Sequence, residues 1–183
     1  MAIVPDSKNW TWVLDDQCPE CGFRADLVDL AEMGSLVRAN VAAWPPLLVG
    51  TTARRRPADD RWSALEYACH VRDVFRLFDE RLRLMLETEA PRFANWDQDL
   101  TAIEDRYALR DPLVVADDLV AAGSAIAERW ETVRDDQWQR TGDRSDGSSF
   151  TVETFARYFL HDPVHHLHDV AVGNQSLTDV APA

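Results

Sequence analysis

Four of the five histidines of this chain fall in one short stretch, FLHDPVHHLHDV, from Phe159 to Val170, and the fifth is His70. Imidazole at that density suggests metal ligation. On a helix each residue advances about 100°, so His161 and His165 lie about 40° apart in projection and about 6 Å apart along the axis. Such a pair can chelate one divalent ion, and a catalytic centre adds a third protein ligand while leaving a position open. His70 lies on a separate segment and is the natural third donor, so the sequence predicts a centre of His70, His161 and His165. His168 returns to the same stripe and is a candidate for a further ligand, whereas His166 points toward the side of Phe155 and Phe159. Metal-bound imidazoles usually donate their second nitrogen to a carboxylate. Glu66 and Asp73 flank His70 at suitable offsets and Asp169 follows His165 by one turn, although ordinary solvated helix faces account for the same residues.

Two further features bear on this site. Pro163 removes a backbone donor and pushes Asp162 toward extended geometry, which predicts a kink or a fresh helix start between His161 and His165. HDPVH also occupies the frame of the H-E-x-x-H zinc proteases, but aspartate is one methylene too short and the proline disrupts the helix that motif needs. The second feature is CPECGF, residues 18–23, where Gly22 permits a tight reversal after Cys21. Cys18 and Cys21 read as plain reduced thiols in a turn, as a metal knuckle completed by surplus histidines or another chain, or as a redox pair.

Helices must position these groups, because no stretch shows sustained two-residue alternation. The first is expected from Asp26 to Trp44, stopped by Pro45 and Pro46. The second runs from Ala64 to Leu86; Ser63 and Glu66 form a capping box, and Trp62 and Tyr67 take the staple positions. A connection containing PRFANWDQDL, with room for a short helix, leads to a third helix opened by Asp111-Pro112 and reaching Arg134. TGDRSDGSSF reads as a polar loop, after which Thr151 or Ser149 caps a fourth helix carrying the histidines. The economical architecture is an all-α four-helix bundle over residues 25–175, with an N-terminal appendage (1–24) bearing the C-x-x-C turn and a short tail (176–183).

The 183 residues suit one domain, and hydrophobic and charged fractions of 46% and 28% are ordinary globular values. A net charge of −13 disfavours nucleic acid and anionic membranes as partners. Three cysteines do not make an extracellular disulfide framework, and no apolar run approaches the ~18 residues of a membrane span. A soluble, cytoplasmic protein is expected. Lys8 is the only lysine, a bias pointing to a GC-rich genome.

RWSALEYACHVRDV, with Trp62, Glu66, His70 and Asp73, followed some ninety residues later by FARYFLHDPVHHLHDV, resembles the DinB/YfiT-like superfamily of metalloenzymes, particularly its actinobacterial members. The resemblance spans residues 25–172. It implies an up-down-down-up four-helix bundle, often a homodimer, holding a divalent metal, commonly zinc or nickel, on three histidines matched here by His70, His161 and His165. His166 and His168 are extra, and Pro163 departs from a regular helix. Characterised relatives include S-transferases and a maleylpyruvate isomerase that use low-molecular-weight thiols such as bacillithiol or mycothiol. The implied function is metal-activated attack by such a thiol, with mycothiol as cosubstrate, on a small electrophile. The alternatives are a metal-dependent hydrolase and a non-catalytic metal- or ligand-binding stress protein.

Overall fold

The computed structural model describes residues 9–179. Its frame is four long helices: α1 (Met33–Leu47), α2 (Ala64–Glu87), α4 (Pro112–Trp130) and α5 (Val152–Asp179). A short helix, α3 (Gln98–Glu104), and three brief strands, β1 (Arg92–Phe93), β2 (Thr141–Arg144) and β3 (Ser149–Thr151), lie in the connections. Helix α4 packs on both α1 and α2, and α5 closes against α2 and α1. The strands reveal the connectivity. β1 follows α2, β2 follows α4, and the two pair in parallel, while Arg140 Nη2 donates to the Thr88 carbonyl at the foot of α2 (2.8 Å). The C-terminal ends of α2 and α4 therefore share one end of the bundle, which makes the order up-down-down-up and requires the long crossover through α3.

Local chemistry sets most helix starts. Ser63 Oγ accepts from the Glu66 N–H while the Glu66 carboxylate accepts from the Ser63 N–H, and Trp62 packs on Tyr67 with ring centroids 5.5 Å apart. Asp111 caps the N–H groups of Leu113 and Val114 ahead of Pro112. Thr151 Oγ1 accepts from the Thr154 N–H at the head of α5.

Four boundaries differ from the sequence expectation. Residues 26–32 form two separate 3-10 turns, the second capped by Asp29, so α1 begins only at Met33. Pro45 and Pro46 end the helix less abruptly than expected, because their fixed φ is itself helical and α1 carries them in its last turn to Leu47. The third helix stops at Trp130, and a 3-10 turn at Asp135–Gln139 follows. TGDRSDGSSF is a hairpin rather than a loop, turning at Gly147 (φ 96°) and held on its far edge by β1, a pairing partner some fifty residues away.

The interior is aromatic and closely packed. Phe75, Leu82, Leu119, Ile126, Trp130, Phe155 and Phe159 are buried, and Phe78 stacks on Phe155 at 4.8 Å. Where α1, α2 and α4 meet, Gly123 has no room for a side chain: a Cβ there would lie 2.2 Å from Val41 Cγ2 and 3.0 Å from Phe75. Gly123→Val should overpack this junction and lower unfolding stability by about 1–3 kcal/mol, read as a reduced urea midpoint at unchanged m-value.

Candidate metal centre

Helix α5 passes through Pro163 without interruption, so the break expected between His161 and His165 does not occur. A tertiary contact reaches the helix at this point. Asn40 of α1 is buried and donates to the Pro163 carbonyl (2.8 Å), while its own oxygen accepts from Trp44 Nε1 (3.0 Å). Because the helix is continuous, positions 161 and 165 keep one face and positions 162, 166 and 169 take an adjacent one, about 100° round. The three histidines proposed as ligands from the sequence are thereby divided between two groups.

The first group faces α2 and comprises His70, Asp162 and His166, whose donor atoms lie within 4.8 Å of one another. Asp162 Oδ1 is 3.4 Å from His70 Nε2 and 3.7 Å from His166 Nε2. Two ligands bound tetrahedrally at about 2.1 Å stand about 3.4 Å apart, so these separations suit donors around one cation. Hydrogen bonding points the same way. His70 Nε2 and Asp162 Oδ1 are buried without a hydrogen-bond partner, a costly state that a cation between them would relieve. Burial alone would raise the Asp162 carboxyl, yet His70 and His166 hold it down at about 2, so it is an anion at neutral pH. His70 is fixed between Trp96, stacked at 5.3 Å, and Trp62 at 5.4 Å. His166 Nδ1 lies 2.9 Å from Asp169 Oδ2, which leaves Nε2 as the ligand atom.

The second group faces the N-terminal segment and comprises Cys18, Cys21, His161 and His165, again with donor atoms within 4.8 Å. Burial and the neighbouring His165 pull His161 down to about 4, and burial lowers His165 against the opposing pull of Asp169; both rings are neutral and carry free lone pairs. Burial pushes the Cys21 thiol up to about 11 despite a backbone hydrogen bond at Phe23.

The remaining sequence candidates are elsewhere or indirect. Glu66 serves the α2 cap and pairs with Arg56, whose Nε donates to Oε2 at 2.9 Å. Asp73 accepts from Tyr107 Oη (2.6 Å) and from Arg72. Both carboxylates are thus engaged by groups other than His70, whereas Asp169 lies against His166 and 3.7 Å from His165 Nε2. His168 joins neither group among the described residues. Sequence reasoning missed Asp162 and His166. Their signal was present, a carboxylate and an imidazole four apart on α5, but aspartate is abundant in this chain and the proline beside it argued for a cap.

Asp162 and His166 of the first group and His161 and His165 of the second line one cavity of about 360 Å³, walled also by Trp10, Arg61, Tyr67, Asp99 and Tyr158. A second cavity of about 550 Å³ shares Trp10, Gln98, Asp99, Tyr158 and Asp162 with it and reaches Arg81 and Arg144. None of the described helices is long and apolar enough to cross a membrane.

A four-helix bundle of this connectivity, with metal-ligand chemistry on facing helices beside a cleft, defines a class. The DinB superfamily sequence model matches residues 38–170, and the chain belongs to that superfamily. Among solved structures it resembles YfiT from Bacillus subtilis, described as a probable metal-dependent hydrolase with an unusual four-helix bundle topology. The TM-score is 0.64 at 17% identity, over 97% of this chain and 94% of that one. No curated protein matches the sequence.

The reassigned Glu66 carries its own pH signature. Burial would raise its carboxyl, but the Arg56 and Ser63 hydrogen bonds outweigh this and hold it below the ordinary 4.5. A depressed folded-state pKa means that the unfolded chain takes up protons first, so the contribution is full at neutral pH and is lost as pH falls through the folded value. Glu66→Gln keeps the cap geometry but not the charge. It should cost about 1–3 kcal/mol at pH 7, with the gap to wild type closing below pH 4 in urea titrations.

Proposed function

We propose that this protein is a divalent-metal-dependent enzyme of the hydrolase kind, with His70, Asp162 and His166 as its metal ligands. The observation that carries the reading is the convergence of three donor atoms, two of them buried without a hydrogen-bond partner, with Asp162 and His166 in the wall of a cavity. When bound, a divalent ion on two imidazoles and one carboxylate supplies Lewis acidity and lowers the pKa of water or thiol that it binds. The chain's own residues do the rest. His70 is locked by two indoles, and His166 is oriented by Asp169, so neither ring reorganises during turnover. Trp10, Trp62 and Tyr67 shield the site from bulk water.

Arg81 bears on the substrate. It is buried in the wall of the second cavity; its guanidinium donates to the Ala94 carbonyl (2.7 Å) and lies over Phe93 at 4.9 Å, with no carboxylate pairing it among the described residues. Burial, and then Arg144, lower it to about 10, so it remains a cation at neutral pH. An anionic group on a small substrate is the complement of that charge.

A second reading, transfer to a low-molecular-weight thiol such as mycothiol, is favoured by the two cavities meeting along Asp162, which offer room for a cosubstrate beside the electrophile. Added thiol separates the two reactions. Protein loaded with Zn²⁺ or Ni²⁺ should turn over members of a panel of small anionic esters, amides and lactones without thiol. His70→Ala and Asp162→Asn should each lose one bound ion and at least about a hundredfold in kcat/KM. Turnover only with thiol selects the second reading, and no turnover in either arm removes both. Arg81→Gln should raise KM about tenfold for anionic substrates while leaving kcat and neutral analogues nearly unchanged.

A further inference from the structure

The segment from Trp10 to Phe23 packs against α5, and there the donor set is not that of an open catalytic centre. We propose that Cys18, Cys21, His161 and His165 form a second, structural zinc site that fastens the N-terminal segment to α5 and builds one wall of the substrate cavity.

Local geometry is that of a metal knuckle. The Gly22 N–H donates to the Cys18 carbonyl (2.9 Å) and the Cys18 N–H to the Phe23 carbonyl (2.9 Å), with Gly22 at φ 75°, so the chain reverses and both sulfurs face one way. The opposite half is the His161–His165 pair, one helical turn apart with ring centroids 5.0 Å apart. Cys18 Sγ lies 3.6 Å from His165 Nδ1, the edge length of about 3.6 Å expected between sulfur at 2.3 Å and nitrogen at 2.0–2.1 Å around tetrahedral zinc. A thiol-to-imidazole hydrogen bond explains that one distance. It does not explain His161, which is 4% exposed and has Nε2 buried without a hydrogen-bond partner.

The donor set distinguishes this site from the His70 group. Cys18, His161 and His165 are 1%, 4% and 6% exposed, and the rings are covered by Trp10 at 5.5 and 5.3 Å and by Phe23 at 5.3 Å. Four protein donors complete the shell, and two sulfurs with two imidazoles select zinc over magnesium, calcium or manganese. His165 turns Nδ1 inward and leaves Nε2 3.7 Å from both Glu20 and Asp169, the outer carboxylates that orient a ligating ring. Trp10 and Glu20 belong to the knuckle side and line the smaller cavity together with His161 and His165, so the site forms part of that cavity's wall.

Wild-type full-length protein, depleted of metal under reducing conditions and titrated with Co²⁺, tests this directly. The expected result is two ions per chain, one of them giving the near-ultraviolet thiolate-to-cobalt charge-transfer band and the strong visible absorption of a tetrahedral site. Cys18→Ser with Cys21→Ser should lose that spectrum and one zinc, and should melt at lower temperature. His70→Ala should keep the spectrum and lose the other ion. Cobalt-saturated wild type without the thiolate band overturns the proposal, whether or not the cysteine variant folds. A cysteine variant with unchanged zinc content and melting temperature overturns it as well. The His70 group can fail independently, since its loss leaves the thiolate band untouched.

Discussion

The constraint on which the site depends is the unbroken path of α5 through Pro163. An α-helix turns its neighbours about 100° apart, so a segment carrying His161, Asp162, His165, His166 and Asp169 cannot aim them all at one point. It must serve two sides. One face meets α2 and its His70, and the other meets the N-terminal segment and its cysteines. A break at the proline would let the downstream half rotate freely and dissolve both groupings. The buried Asn40, itself held by Trp44, therefore helps keep the two groups apart.

The sequence was legible where structure is decided within a few residues. The Ser63–Glu66 box, the Asp111-Pro112 start and the Thr151 cap are short-range chemistry, and all stand where the sequence puts them. It was illegible where distant residues override local preference. An interior proline costs roughly 3 kcal/mol in a helix considered alone, which made a break at Pro163 the sensible expectation. The helix nonetheless continues through Pro163, where Asn40 of α1 donates to its carbonyl, a contact that nothing near Pro163 in sequence announces. The β2–β3 hairpin was missed for the same reason, since its Asp, Ser and Gly residues are poor strand formers and β1, far upstream, completes the sheet.

The candidate site was half legible for a related reason. Histidine is rare here, so its clustering stood out at once, whereas 32 acidic residues hide the carboxylate that matters. Asp162 differs from the others through surroundings, not sequence: it lies between two imidazoles with one oxygen buried and unpartnered. The cysteine pair was likewise incomplete on inspection. A metal on two sulfurs would need two more donors, and the fold brings two imidazoles beside them from about 140 positions away, with Cys18 and His165 at the point of contact.

Asp169 links the two halves. Its Oδ2 lies 2.9 Å from His166 Nδ1 and 3.7 Å from His165 Nε2, so a single carboxylate faces the outer nitrogens of rings belonging to both groups. Tyr67 of α2 packs on His166 at 5.0 Å, and its hydroxyl is pushed well above the ordinary tyrosine range by burial and by Asp169, so it stays protonated and able to donate to that carboxylate. A carboxylate shared in this way cannot move toward one ring without withdrawing from the other. The orientation of His166, and with it the shape of the open site, is thereby coupled to how firmly the N-terminal segment holds His165.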